Sequence, residues 1–186
     1  MNVFLDTVAS DLVIILFDDS FQVHDYIHII GVKKKVELLT EQFDSLLNKH
    51  NLKYKNIEKF YINKGPGFFT GVRIALVFAR TIALWTGAKI YTTNSFLILN
   101  KQITKETFVL DASGGKKYLL AQKMITNGNP NYIQNSIKVE KSDQQVDQIN
   151  YQLIIDNFVI YQDIFTQEKL LDITPLYIKM PQIGEV

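Results

Sequence analysis

Three groups of residues have types and spacings that could do chemistry. The first is Gly65-Pro66-Gly67-Phe68-Phe69-Thr70-Gly71, followed by Arg73 and a long apolar stretch. A glycine-rich turn ahead of a helix can cradle an anion on backbone amides. Two standard phosphate loops are excluded. Gly65, Gly67 and Gly71 are spaced one residue too widely for the dinucleotide fingerprint, and no Gly-Lys-Ser/Thr follows for a Walker loop. The simpler role for these glycines is to let a helix pack close to a sheet. Thr70 is the expected N-cap of that helix. Arg73 stands where a capping box would have Glu, so it opposes the helix dipole and is expected to have an anionic partner.

The second group is a pair of aspartates in matching contexts. Phe4-Leu5-Asp6-Thr7 is echoed by Val109-Leu110-Asp111-Ala112, with Gly115 and Tyr118 after it. Each reads as an apolar strand, an Asp, a small residue, a turn and a second strand. The echo resembles actin-like ATPases, in which two such Asp-bearing hairpins face one another and hold nucleotide phosphates and metal. Each could equally cap its own strand-end turn. The third group is His24 and His28. On a helix their spacing would bring two metal ligands together. They fall in an expected strand, where four residues span ~13 Å, too far for one ion with ligands at ~2 Å. No Ser/His/Asp set or acidic pair stands in a recognisable catalytic motif.

The elements that must position these residues follow from periodicity. Residues 2–5, 12–17 and 21–30 read as three consecutive strands. Residues 32–48 carry a helical stripe of Val32, Val36, Leu39, Phe43, Leu46 and Leu47. Lys33, Lys34 and Lys35 at its start read as a solvated basic face. Residues 59–63 form a strand before the glycine turn, 71–86 a helix ended by Gly87, and 89–93 a strand. Asn94 or Ser95 caps a short helix over 96–101. The order β-β-β-α-β-α-β is α/β, the ribonuclease-H-like half of an actin/Hsp70-like fold. A boundary near 104 divides a first lobe, 1–104, from a shortened second lobe, 105–186. In the latter, 108–111, 117–125, 137–140 and 151–156 read as strands, a polar stretch follows 126–130, and 142–149 is at best a short helix.

Composition narrows the function classes. The chain has 186 residues, no cysteine and a formal charge of +1. Disulfide frameworks and thiolate metal sites are excluded. Near-neutral charge argues against nucleic-acid binding through a broad basic face. The most apolar segment, 74–85, is too short to span a bilayer and contains Arg80. Asp6 interrupts the first apolar run, so no signal peptide is read. The expectation is a cytoplasmic protein with no membrane contact.

The motif Gly-Pro-Gly-x-Phe-Thr-Gly-x-Arg-Ile over residues 65–74, between a strand and an alanine-bearing helix, resembles the signature of the TsaB (YeaZ) family. Pro175-Leu176-Tyr177-Ile178-Lys179 is similar to that family's Pro-x-Tyr-Leu-Arg close. The resemblance is strong over residues 1–100 and patchy beyond. The chain departs from the family at Val32-Lys33-Lys34, where His-Ser-Glu is usual, and at Phe68, where serine is usual. The resemblance implies a non-catalytic accessory subunit in threonylcarbamoyl modification of the tRNA adenosine next to the anticodon. It implies a TsaD-like catalytic subunit as partner, a TsaE-like ATPase in the assembly, and tRNA reached through the complex. It implies no cofactor, no metal, a vestigial nucleotide site at Asp6, Thr7, Asp111 and Gly115, and either a homodimer or a monomer when the chain is alone. The alternatives are a small actin-fold phosphotransferase using Asp6 and Asp111, and a glycoprotease, for which helical metal-binding histidines are missing.

The helix after the glycine turn is apolar all round, so one face lies on the sheet and the other needs a second cover. Ala75, Ala79 and Ala83 form a small-residue stripe along which a neighbouring helix could approach to ~8 Å. Arg73 and Arg80 are seven residues apart and lie beside it. Family subunits join TsaD through their first two helices. The expected interface is therefore Arg73, Ala75, Leu76, Ala79, Arg80 and Ala83.

Overall fold

The computed structural model describes residues 1–125 and 130–178. Its larger sheet has six strands in the order β3-β2-β1-β4-β5-β9. They are β1 (Asn2–Asp6), β2 (Leu12–Phe17), β3 (Val23–Ile29), β4 (Lys59–Asn63), β5 (Lys89–Thr93) and β9 (Thr166–Glu168). β1, β2 and β3 form an antiparallel meander. β4 and β5 join β1 in parallel, and β9 closes the edge antiparallel to β5. The smaller sheet is an antiparallel meander of β6 (Thr107–Asp111), β7 (Lys116–Ala121) and β8 (Lys138–Lys141). This is the expected ribonuclease-H-like order.

Strand alternation assigns each face of the large sheet its own cover. Val3, Leu5, Leu12, Ile14, Leu16, Phe60 and Ile62 point to α1 (Lys35–Lys49) and α2 (Phe69–Thr86). Phe4, Val13, Ile15, Phe17 and Tyr61 point the other way, onto Ile98 of α3 (Ser95–Gln102) and the segment 151–165. A β2 apolar at every position is thus a strand covered on both faces. The third core lies between α3 and the small sheet, with Phe96, Leu99, Phe108, Leu120 and Leu176. α4 (Pro130–Ser136) packs beside the 3-10 turn Gln122–Met124.

Several expectations need correction. Residues 151–156 form a helix, α5 (Tyr151–Asp156), not a strand. The Asn150 side chain accepts from the amides of Gln152 and Leu153, and Tyr151, Ile154, Ile155 and Phe158 share one buried face. A 3-10 stretch, Phe158–Ile164, follows. Residues 142–149 hold no helix; they run beside β6, where Asp147 N–H donates to Val109 O at 2.7 Å. Residues 151–168, placed by the sequence division in the second lobe, return to the first sheet. α1 starts at Lys35, because Val32 is tied by its amide to Ser10 O. The expected cap of α3 is met by Asn94, the first of the two candidates, which accepts from Leu97 N–H at 3.0 Å. Residues 126–129 and Lys179 lie outside the described residues.

Candidate functional site

The glycine loop is built around backbone contact with the turn after β1. A Cβ on Gly71 would lie 2.2 Å from Thr7 O, and one on Gly67 would lie 2.2 Å from Val8 Cγ1 and 2.6 Å from Val8 O. Only glycine permits that approach. Gly65 has φ +103°, outside the range of ordinary side-chain-bearing residues. Thr7 joins α2 directly. Its hydroxyl donates to Gly71 O at 2.6 Å and accepts from Ala75 N–H at 3.2 Å, inserting itself into one helical hydrogen bond. α2 begins at Phe69 with Phe68 as N-cap and no side-chain cap. Thr70 is therefore not the cap; Phe68 N–H is satisfied by Val8 O at 2.9 Å.

Asp6 is 0% exposed at the end of β1. Oδ1 accepts from Val8 N–H at 2.9 Å and Oδ2 from the Asn63 amide at 2.8 Å. Burial pushes the carboxyl above its ordinary range, opposed by these bonds, by the Tyr151 hydroxyl and by the charge of Lys35. Burial and the Asp6 charge together push the Tyr151 phenol far upward. Asn63 continues the chain of contacts: its Oδ1 accepts from Gly65 N–H at 3.0 Å, and its amide donates to Ser95 Oγ at 3.1 Å. Lys35 is 6% exposed, and its ammonium donates to Thr7 O at 2.8 Å and to Ala9 O. Burial lowers its pKa, against the charges of Asp6 and Asp11.

Asp111 repeats the Asp6 geometry locally. Its Oδ1 accepts from Ser113 N–H, two residues on, at 2.8 Å, as Asp6 accepts from Val8. The surroundings differ, because Asp111 is exposed. It lines a cleft of about 530 Å³ together with Asp11, Asp147, Ser95, Tyr151 and Phe68. Asp6, Thr7 and Gly115 are not among the lining residues; Asp6 is buried and bonded to Tyr151, which does line the cleft, and Gly115 sits in the β6–β7 turn. The expected nucleotide constellation is thus brought together only in part.

The outer surface of α2 corrects the expected interface. Ala75, Leu76, Ala79 and Ala83 all lie in the core against the large sheet, so the alanine stripe admits the sheet and not a partner helix. Arg80 is committed within the chain: Nε donates to Leu170 O at 3.1 Å and Nη2 to Ile173 O. Arg73 remains at the surface. In place of the expected anion it rests on the Phe69 ring, 4.3 Å from the centroid. The exposed side of α2 is Arg73, Val77 (57%), Leu84 (62%) and Trp85 (75%). Val36, Leu39 and Thr40 of α1 face Arg73, Ile74, Val77 and Phe78 across an apolar groove of about 570 Å³. At 18 residues α2 is longer than the 74–85 stretch and reaches the length and composition of a bilayer span, yet one of its faces is core.

The histidines form three separate pairs with aspartates. His24 meets Asp18 at 3.0 Å, His28 meets Asp11 at 2.8 Å, and His50 meets Asp25 at 2.7 Å. His24 and His28 lie on β3, a strand as expected. Asn63, Lys35 and Tyr151 were missed as members of the buried network. Lys35 had a readable signal: it stands four and eight residues before Leu39 and Phe43, on the apolar stripe of α1. Lys33 and Lys34 are solvated as expected.

Residues 30–151 match the family model TsaD, tRNA N6-adenosine threonylcarbamoyltransferase. Protein MG208 of Mycoplasma genitalium, uncharacterized, is 33% identical over 96 residues, which are 50% of this chain and 49% of that protein. Its Mycoplasma pneumoniae homolog is 32% identical over 81 residues, 43% of this chain and 41% of that protein. The chain thus matches about half or less of the length of these curated relatives. YeaZ from Pseudomonas aeruginosa superposes with a TM-score of 0.55 at 17% identity, covering 76% of this chain and 64% of that one. An uncharacterized protein with similarity to peptidase YeaZ from Pseudomonas aeruginosa superposes with a TM-score of 0.65 at 14% identity, covering 96% of this chain and 99% of that one. With that match over residues 30–151, the chain belongs to the TsaD family of tRNA N6-adenosine threonylcarbamoyltransferase proteins, and its fold is that of YeaZ.

Proposed function

We propose that the chain is a non-catalytic scaffold and activator subunit that docks a TsaD-like transferase through the groove between α1 and α2. The observation that carries this reading is the exposed apolar side of α2: Val77 lines the groove with Val36 opposite, and exposed Leu84 and Trp85 lie further along the same helix, outside the groove lining. Exposed contiguous apolar surface favours a macromolecular partner. A catalytic role for Asp6 is disfavoured, because its oxygens are taken up by Val8, Asn63 and Tyr151 inside the fold. In this reading the transferase carries the chemistry at the tRNA adenosine, in the cytoplasm. A TsaE-like ATPase and the tRNA join through the complex, and a second copy covers the same face when the chain is alone.

The test is co-purification with the TsaD-like subunit of the same genome. Val77→Arg with Leu84→Arg should leave a folded protein that no longer retains the transferase and no longer supports threonylcarbamoylation. Retention at unchanged affinity would move the interface elsewhere. A second reading, a nucleotide-dependent phosphotransferase, is favoured by one observation, the cleft bearing Asp11 and Asp111. Calorimetric titration with Mg-ATP separates the two. Micromolar binding abolished by Asp111→Ala would support the phosphotransferase.

A further inference from the structure

The segment after β9 is sewn to the helix and loop that form the groove. Arg80 of α2 grips the carbonyls of Leu170 and Ile173. Ile173 is buried in the core beneath α2, and Leu176 is buried against the small sheet. Leu176 N–H donates to Lys64 O at 2.7 Å, at the start of the glycine loop, and Lys64 in turn pairs with Glu168 at 2.5 Å. These anchors deliver Tyr177 to Phe69. The two rings stack with centroids 4.9 Å apart and planes inclined by 29°. Phe69 also carries the Arg73 guanidinium. Arg73 lines the groove between α1 and α2, while Tyr177 does not.

We propose that Tyr177 is a positioning residue for the docking groove, holding Phe69 so that Arg73 is presented to a carboxylate of the partner. The proposal rests on the reading of the groove as the site of a TsaD-like subunit. The first turn of α2 has no side-chain cap, so the ring stack supplies a restraint there that the helix end lacks. An unrestrained arginine loses rotamer freedom on binding, and a preorganised one loses less. Held over the Phe69 ring, the guanidinium can offer its fork of N–H donors to a carboxylate in two parallel bonds. Among the described residues Arg73 makes no ion pair. The occupant is therefore an acidic side chain set among apolar ones on the partner.

Two measurements on the full chain test this. The first needs no partner: ¹⁵N relaxation of the Arg73 Nε–H group in wild type, Tyr177→Phe and Tyr177→Ala, each checked for folding by thermal melting. The group should be ordered in the first two and mobile in the third. Equal order in all three would overturn the proposal. The second is calorimetric titration with the purified TsaD-like subunit. Tyr177→Ala should weaken binding about tenfold, while Tyr177→Phe stays within about twofold of wild type, on the scale of ring-contact coupling. In an Arg73→Ala background, Tyr177→Ala should have no further effect. Undiminished affinity of folded Tyr177→Ala, or additive losses, would overturn it. A wild-type chain that does not bind the subunit overturns the docking reading instead, and relaxation data then still decide the positioning.

Discussion

Nδ2 of Asn63 stands 2.8 Å from Oδ2 of Asp6, with both side chains excluded from solvent. The pair links the ends of two parallel neighbours, β1 and β4, at the point where each strand enters its loop. Asn63 then holds Gly65 N–H, and Asp6 holds Val8 N–H. The glycine loop and the β1–β2 turn are thereby fixed by one shared contact. That fixes where α2 starts, because Gly67 and Gly71 lie directly on the Thr7–Val8 backbone. Asp6→Ala should cost about 1–3 kcal/mol for each donor left without an acceptor. Chemical denaturation measures this, and a loss below about 1 kcal/mol would mean that water replaces the carboxylate.

Asp6 also makes stability depend on pH. Its folded pKa is raised above the unfolded value of 3.8, chiefly by burial. The protonated form therefore favours folding. Its contribution is complete below pH 3.8 and is lost as pH rises through the folded pKa. Asp11 runs the other way. Partial burial raises its pKa, but hydrogen bonds from His28, Ser10 and Gly31 outweigh this and lower it. Its stabilisation is present above 3.8 and is lost as pH falls through the lowered value. The difference between wild type and Asp6→Asn, measured by denaturation from acid to neutral pH, should thus slope only in the window above pH 3.8. A flat difference would show that Asp6 titrates normally.

Gly71→Ala tests the close approach of α2. Its new Cβ would meet a backbone oxygen at 2.2 Å, which cannot move aside as a flexible side chain can. The expected loss is on the order of 1–3 kcal/mol, with a displaced first turn of α2. Gly87→Ala is the comparison. Its φ is +80°, but nothing lies within 4 Å of the added atom, so only the conformational cost of about 1 kcal/mol applies. Equal losses in thermal melts would mean that backbone conformation, not the Thr7 contact, sets the requirement at Gly71.

The sequence made the strand–loop–helix frame legible because its signals are local. Continuous apolar β2, the α1 stripe and the glycines around Pro66 each report their own element. Residues 151–156 were misread because a short apolar run fits strand and helix alike, and the Asn150 cap that decides it was overlooked. The site was harder for a different reason. α2 is apolar on all sides, so its pattern cannot say that Ala75 and Ala79 meet the sheet while Val77 and Trp85 meet solvent. Arg80 reaches Leu170, and Asn63 reaches Asp6, across long stretches of chain. Contacts of that range leave no periodic trace.

That distinction on α2 gives a direct contrast. Ala79 is 0% exposed and sits between the helix and the sheet. Ala79→Arg should fail to fold, since a buried unpaired guanidinium costs several kcal/mol. Val77→Arg, two residues away on the open face, should change stability by less than about 0.5 kcal/mol. Circular dichroism melts of the two proteins decide it. A folded Ala79→Arg protein would show that α2 can rotate on the sheet.

Arg80 is the residue on which docking of the final described segment depends. Its two hydrogen bonds to the Leu170 and Ile173 carbonyls turn that backbone toward α2 and set Ile173 into the core. Arg80→Met keeps the aliphatic stem, so packing along the helix is retained while the charged donors are lost. Each bond from a charged donor contributes about 1.5–3 kcal/mol, and the freed carbonyls regain water if the segment lifts away. The expected result is local and not global. Amide exchange should accelerate at Asp172 and Leu176, whose N–H groups are bonded to Lys169 O and Lys64 O, while β1 and β4 stay protected. Limited proteolysis should cut near Leu171, which is already 75% exposed, faster than in wild type. Uniform acceleration across the sheet would instead make Arg80 a determinant of the whole fold. Unchanged exchange at Leu176 would show that Leu176 and Ile173 hold the segment by burial alone.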